Sequence, residues 1–157
     1  MVSSFEKFSV TIFGIYRKLR RVQREEMVKH GYKGSYARYL TLLNRYEQGL
    51  SSMEICRICD LDRSIVSRTT TEMYDKGLLE RTLLPHGAYR YKLTLTEKGK
   101  EVADSVNKIT ADAAKELSKE IMNAEERDVF YSILDSIYAN LLKSESFEIS
   151  AENTEDK

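Results

Sequence analysis

The sequence predicts a mainly α fold carrying one small β-hairpin, and three observations within residues 50–100 carry that prediction. Ser51-Ser52-Met53-Glu54 has the form of a capping box, in which a hydroxyl and a carboxylate satisfy free amides at a helix start. Asp62 stands as the cap of a second helix that ends at Lys76-Gly77, a basic last turn followed by glycine. Residues 78–84 and 89–95 then read as two strands on either side of Pro85-His86-Gly87-Ala88. The second run alternates clearly; the first is the weaker strand signal because it is leucine-rich. Helix, turn, helix and hairpin in this order make a winged helix-turn-helix over residues 35–96.

The remaining elements follow in order. Phe5, Phe8, Ile12, Ile15, Leu19 and Val22 recur at steps of three and four, forming one stripe of a long helix over residues 5–29. The opposite face is basic, with Arg17, Lys18, Arg20, Arg21 and Arg24. Such a stripe must lie against something, either another subunit or a bundle within the same chain. His30-Gly31-Tyr32-Lys33-Gly34 interrupts the pattern, and a second helix starts at Ser35 and stops at Gln48-Gly49. Its residues Tyr36, Tyr39, Leu40, Leu42, Leu43 and Tyr46 are expected to pack on the helix-turn-helix. After Gly99, Val102, Val106, Ile109, Ala113, Leu117 and Ile121 repeat at helical spacing. Asn123-Ala124-Glu125-Glu126 reads as a cap and acidic first turn for a last helix bearing Val129, Phe130, Ile133, Leu134, Ile137, Leu141 and Leu142. Burying one such side chain contributes about 1.5–3 kcal/mol, so this stripe is not expected to stay in water. Residues 144–157 are acidic and polar, and read as a disordered tail.

Composition sets the class. A chain of 157 residues supports one compact unit. No apolar run spans a bilayer and no leader pattern opens the chain, so a soluble cytoplasmic protein is expected. The net charge is zero, yet residues 1–100 carry 19 Lys and Arg against 11 Asp and Glu, and residues 101–157 carry 6 against 14. This segregation lets a neutral chain present a basic face to an anionic partner; the acidic share also fits a solvated helix and tail. No paired nucleophile and base, phosphate-cradling glycine loop or metal-ligand cluster is present. Neither an enzyme nor a cofactor is expected.

With these residues in view, the chain resembles the MarR family (multiple antibiotic resistance regulators) of winged-helix transcription factors. That family's pattern is close to LDRSTVSR…L…KGLVER…LT.KG. Here Leu61-Asp62-Arg63-Ser64-Ile65-Val66-Ser67-Arg68, Lys76-Gly77-Leu78-Leu79-Glu80-Arg81 and Leu95-Thr96-Glu97-Lys98-Gly99 follow in the same order and spacing. The resemblance covers about residues 5 to 143. It implies that residues 5–30 and 97–143 form a helical dimerisation region, and that the chain acts as a homodimer. It further implies a transcriptional regulator, most simply a repressor, on an inverted-repeat operator in double-stranded DNA, released by a small aromatic effector.

Candidate functional residues follow from the motif. Ser64, Ser67, Arg68, Thr71 and Asp75 share the polar face of the second motif helix, with Val66, Thr69 or Thr70, and Met73 on the other. Small hydroxyls let a helix approach base edges, Arg68 suits paired hydrogen bonds to guanine, and Arg63 suits phosphate. Ser51 and Ser52 at the first motif helix join the DNA-contacting set, as do His86, Arg90 and Lys92 from the hairpin. The hairpin tip departs from the family's acid-and-arginine pattern, and Arg90 does not fall on the family arginine positions, so a tip that is only a turn stands as the alternative to a groove contact. Cys56 and Cys59 allow a redox-responsive regulator as a second reading, against packing as the simpler one. Tyr16, Tyr36, Tyr39 and Tyr46 mark where related proteins take up phenolic effectors; an aromatic core is the plainer account. A winged helix used only for protein contact is the remaining alternative.

Overall fold

The computed structural model describes residues 4–83 and 91–152, with side chains described for 6–83, 91–140 and 143. Six helices and one hairpin follow in order: α1 (Ser4–Lys29), α2 (Tyr36–Arg45), α3 (Ser52–Cys59), α4 (Arg63–Asp75), β1 (Leu79–Leu83), β2 (Tyr91–Leu95), α5 (Glu97–Ser118) and α6 (Ala124–Glu152). The chain divides into two compact units, Met1–Ala114 and Lys115–Lys157, with the division inside α5.

In the first unit, α3 starts as the sequence predicts. The Ser51 hydroxyl accepts from the Glu54 amide at 3.3 Å, and the Glu54 carboxylate accepts from the Ser51 amide at 2.7 Å. α3 ends at Asp60, which adopts the left-handed conformation at φ 49°, and the Leu61 amide then bonds back to the Cys56 carbonyl at 3.0 Å. An aspartate tolerates that region better than a β-branched residue does, which lets the chain reverse tightly into α4. α4 stops at Gly77, where φ is +70° and the Leu78 amide bonds back to Met73 at 3.0 Å.

β1 and β2 pair antiparallel with Leu79 opposite Leu95 and Leu83 opposite Tyr91. Leu50, just ahead of the capping box, adds a bridge to Leu93, its amide donating at 3.1 Å and its carbonyl accepting at 2.8 Å. One core joins these parts: Met27 of α1, Tyr36 and Leu40 of α2, Ile55 of α3, Val66 and Met73 of α4, Leu78, Leu93 of β2 and Val106 of α5 are all fully buried. Thr96 fastens the start of α5. Its hydroxyl donates to the Gly77 carbonyl at 2.7 Å and accepts from the Gly99 amide at 3.0 Å. Gly99 is there for space, because a Cβ would run into the Leu78 carbonyl oxygen.

In the second unit, Asn123 and Glu126 cap α6 reciprocally, at 3.0 and 2.9 Å. α6 runs to Glu152, past residue 144 where the sequence suggests a disordered tail. The stretch 144–152 contains neither glycine nor proline, so nothing in the backbone chemistry stops the helix there. Residues 153–157 lie outside the described residues.

Candidate nucleic-acid interface

α4 carries the surface. The Asp62 carboxylate accepts from the Ser64 amide and from the Ser64 hydroxyl, each at 2.8 Å, and these bonds, the amide foremost, hold its carboxyl below the usual range. Along the helix Val66, Thr70 and Met73 are buried, and the Thr70 hydroxyl donates to the Val66 carbonyl at 2.9 Å. Arg63, Ser64, Ser67, Arg68, Thr71 and Asp75 are exposed. The helix therefore turns a continuous polar side outward, with two guanidiniums and three hydroxyls on it.

Two cross-element contacts hold α4 in place. Glu72 accepts from Lys33 Nζ at 2.6 Å and from the Tyr36 hydroxyl at 2.9 Å, tying α4 to the segment ahead of α2 and to the first residue of α2. The Lys33 and Tyr36 bonds keep the Glu72 carboxyl below its ordinary range, while burial, reinforced by Glu72, pushes the Tyr36 phenol up to about 12. Farther along, the Arg81 guanidinium lies over the Tyr74 ring of α4 at 4.4 Å and the Tyr91 ring of β2 at 4.9 Å. A planar cation between two aromatic faces gains from both quadrupoles. This stack fixes the hairpin relative to α4; the sequence shows Arg81 only as the end of a family block and gives no sign that it meets Tyr74 and Tyr91.

The structure sorts the remaining candidates. Ser51 is buried and its hydroxyl is engaged by Glu54, so it is a cap with no surface to offer. Ser52 and Lys92 are half-buried, and His86 and Arg90 lie outside the described residues. The four tyrosines are not gathered into one cleft. Tyr16 is exposed, Tyr36 is buried with its hydroxyl on Glu72, Tyr39 is buried in the core, and Tyr46 caps the far end of α2, about 15 Å of helix away from Tyr36. Cys56 and Cys59 are free thiols, half-buried against the core, and burial pushes the Cys59 thiol up. A redox-sensing thiol needs the opposite, a depressed value and open access. Among the described residues no cluster of three or more His, Cys, Asp or Glu is placed to hold a metal ion, and no helix is long and apolar enough to cross a membrane.

A model of the MarR family matches residues 30–88, from the loop ahead of α2 to five residues past β1. Those residues belong to the MarR family. Solved structures place the rest of the chain in the same fold. A MarR transcriptional regulator from Methanosarcina mazei Go1 superposes with a TM-score of 0.74 at 22% identity, covering 88% of this chain and 98% of that one. A putative MarR family transcriptional regulator from Listeria monocytogenes, complexed with 26mer DNA, gives 0.72 at 18% identity over 92% of each chain. The oxidized form of MarR from E. coli gives 0.65 at 18% identity over 83% and 93%. At these identities the likeness establishes the MarR winged-helix fold. No curated protein matches the chain.

Proposed function

We propose that the chain is a DNA-binding transcriptional regulator that inserts α4 into the major groove. One observation carries the reading: the capped helix of a MarR-family segment presents Arg63, Ser64, Ser67, Arg68 and Thr71 to solvent while its apolar residues are buried. Arg68 reads a base edge, the serine and threonine hydroxyls permit close approach, and Arg63 contacts phosphate. The similar Listeria protein was solved in complex with 26mer DNA, which supports the same partner here.

The functional species is a homodimer. α1 leaves Phe8, Ile12 and Ile15 between 42% and 48% exposed, and α6 separately leaves Val129, Phe130, Ile133 and Ile137 exposed. Apolar rows of this length on single helices suit a subunit interface. Two copies of α4 then read half-sites about 10 base pairs apart in an inverted repeat, and repress by occlusion. Catalysis has no part in this reading.

Selection of bound sequences from a random duplex pool tests it. Against the selected site, Arg68→Ala should cost about 1–3 kcal/mol and relax selectivity at one base pair. Affinity should fall steeply with added salt as phosphate contacts release counterions. A pool that yields no enriched sequence, with binding insensitive to salt, would favour a winged helix that contacts protein alone.

A further inference from the structure

α4 leaves two large apolar side chains in water, Tyr74 at 42% exposure and Ile65 at 48%. The Arg81 guanidinium lies over the Tyr74 ring, which accounts for the first. Ile65 belongs neither to the buried cluster nor to the partly buried apolar residues packed against it. It is the third residue of α4, in the first turn, next to the inward Val66. The Ser64 hydroxyl already donates to the Asp62 carboxylate at 2.8 Å, and Arg63 suits phosphate. Ile65 is thus the first-turn side chain left to meet a base edge. The chain has isoleucine where the family pattern LDRSTVSR has threonine, an apolar branch in place of a hydroxyl.

We propose that Ile65 reads the C5 methyl group of a thymine in the major groove, beside the base that Arg68 reads. The inference rests on the DNA-binding reading and gives that surface a defined base preference. The N-terminal residues of a recognition helix are the ones that contact base edges. In the major groove the thymine methyl is the apolar group such an edge presents, while cytosine and adenine present amino donors. An isoleucine set over an amino group strips it of water and returns no hydrogen bond, which costs free energy. In a helix a β-branched side chain keeps essentially one χ1 rotamer, so little ordering is lost on contact. A single exposed isoleucine is ordinary on most surfaces. Here it sits in the first turn of a helix whose other outward residues, Arg63, Ser64, Ser67, Arg68, Thr71 and Asp75, are polar. Ile65 and Arg68 are three residues apart, which puts their Cβ atoms about 5–6 Å from each other. Base pairs are stacked ~3.4 Å apart, so the thymine falls within about two base pairs of the guanine that Arg68 contacts.

Substituting deoxyuridine for each thymine of the selected duplex, one at a time, tests the proposal, because uracil lacks only the methyl. One thymine per half-site, within about two base pairs of the position where Arg68→Ala relaxes selectivity, should bind about fourfold more weakly as uracil. Ile65→Ser should bind the thymine and uracil duplexes alike, and Ile65→Val, which keeps a branched apolar side chain, should retain the preference. Unchanged thermal melting of both variants shows that the fold survives. The inference is overturned if no thymine lies near that guanine, if no uracil exchange weakens binding, or if Ile65→Ser keeps the parent's preference for the methyl. In each of these cases a selected site still exists and the DNA-binding reading stands. A pool with no enriched sequence removes both.

Discussion

Gly99 and Tyr36 show how single positions are constrained by neighbours that are distant in sequence. Gly99 lies in the first turn of α5, where φ is ordinary, yet a side chain there meets the Leu78 carbonyl, a backbone atom that cannot swing aside. Gly99→Ala should therefore destabilise by about 1–3 kcal/mol, seen as a lower denaturation midpoint, and an unchanged midpoint would show that α5 shifts freely. Tyr36 gives a pH signature. Its phenol is held in the protonated form by burial, with a value near about 12 against an unfolded value of ~10. Its contribution is thus complete below ~10 and is lost as pH rises through the folded value. Melting temperatures of the parent protein should fall over that alkaline window, and Tyr36→Phe should flatten the fall.

At the scale of elements, the caps of α3 and α4 are where local chemistry decides structure. Ser51→Ala removes a buried cap and should cost about 0.5–2 kcal/mol in chemical denaturation. Glu54 is held below its ordinary range, foremost by the Ser51 amide. A depressed carboxyl stabilises above its unfolded value of ~4.3, and that stabilisation disappears as pH falls through the folded value. Glu54→Gln should then be less stable at neutral pH and lose less on acidification. These caps, the glycine stop at Gly77 and the inward Val66 and Met73 were legible in the sequence because each depends on residues within four of one another. The Leu50–Leu93 bridge, the Arg81 stack and the Glu72 anchor were not, since they join residues that only the tertiary fold brings together. The arginines of α1 were visible as a basic face, but nothing local revealed that Arg38 of α2 would face them. Of the four tyrosines, Tyr36 and Tyr39 lie in the core, as the plainer account of them expects, and Tyr46 lies at the opposite end of α2.

At the scale of the whole molecule, the uncovered apolar rows of α1 and α6 dominate. Exposed side chains such as Ile133, at 53%, each forgo about 1 kcal/mol or more of burial, which the proposed dimer would recover. Deleting residues from 125 onward should convert a dimer into monomers in sedimentation velocity; a truncated chain that still sediments as a dimer would place the interface elsewhere. Charge is segregated as well, basic through residue 100 and acidic after it, so DNA affinity should depend far more on salt than the zero net charge suggests.

Lys33 reaches Glu72 on α4, and the next two residues, Gly34 and Ser35, lie beside the arginines of α1. A single strap of three residues thus joins α4 to the basic side of α1. Whatever displaced this strap would bear on the Lys33–Glu72 bond, and an anchored α4 would restrain the strap in return, by the reciprocity that governs any two linked equilibria. The strap that joins the two helices has no regular secondary structure of its own.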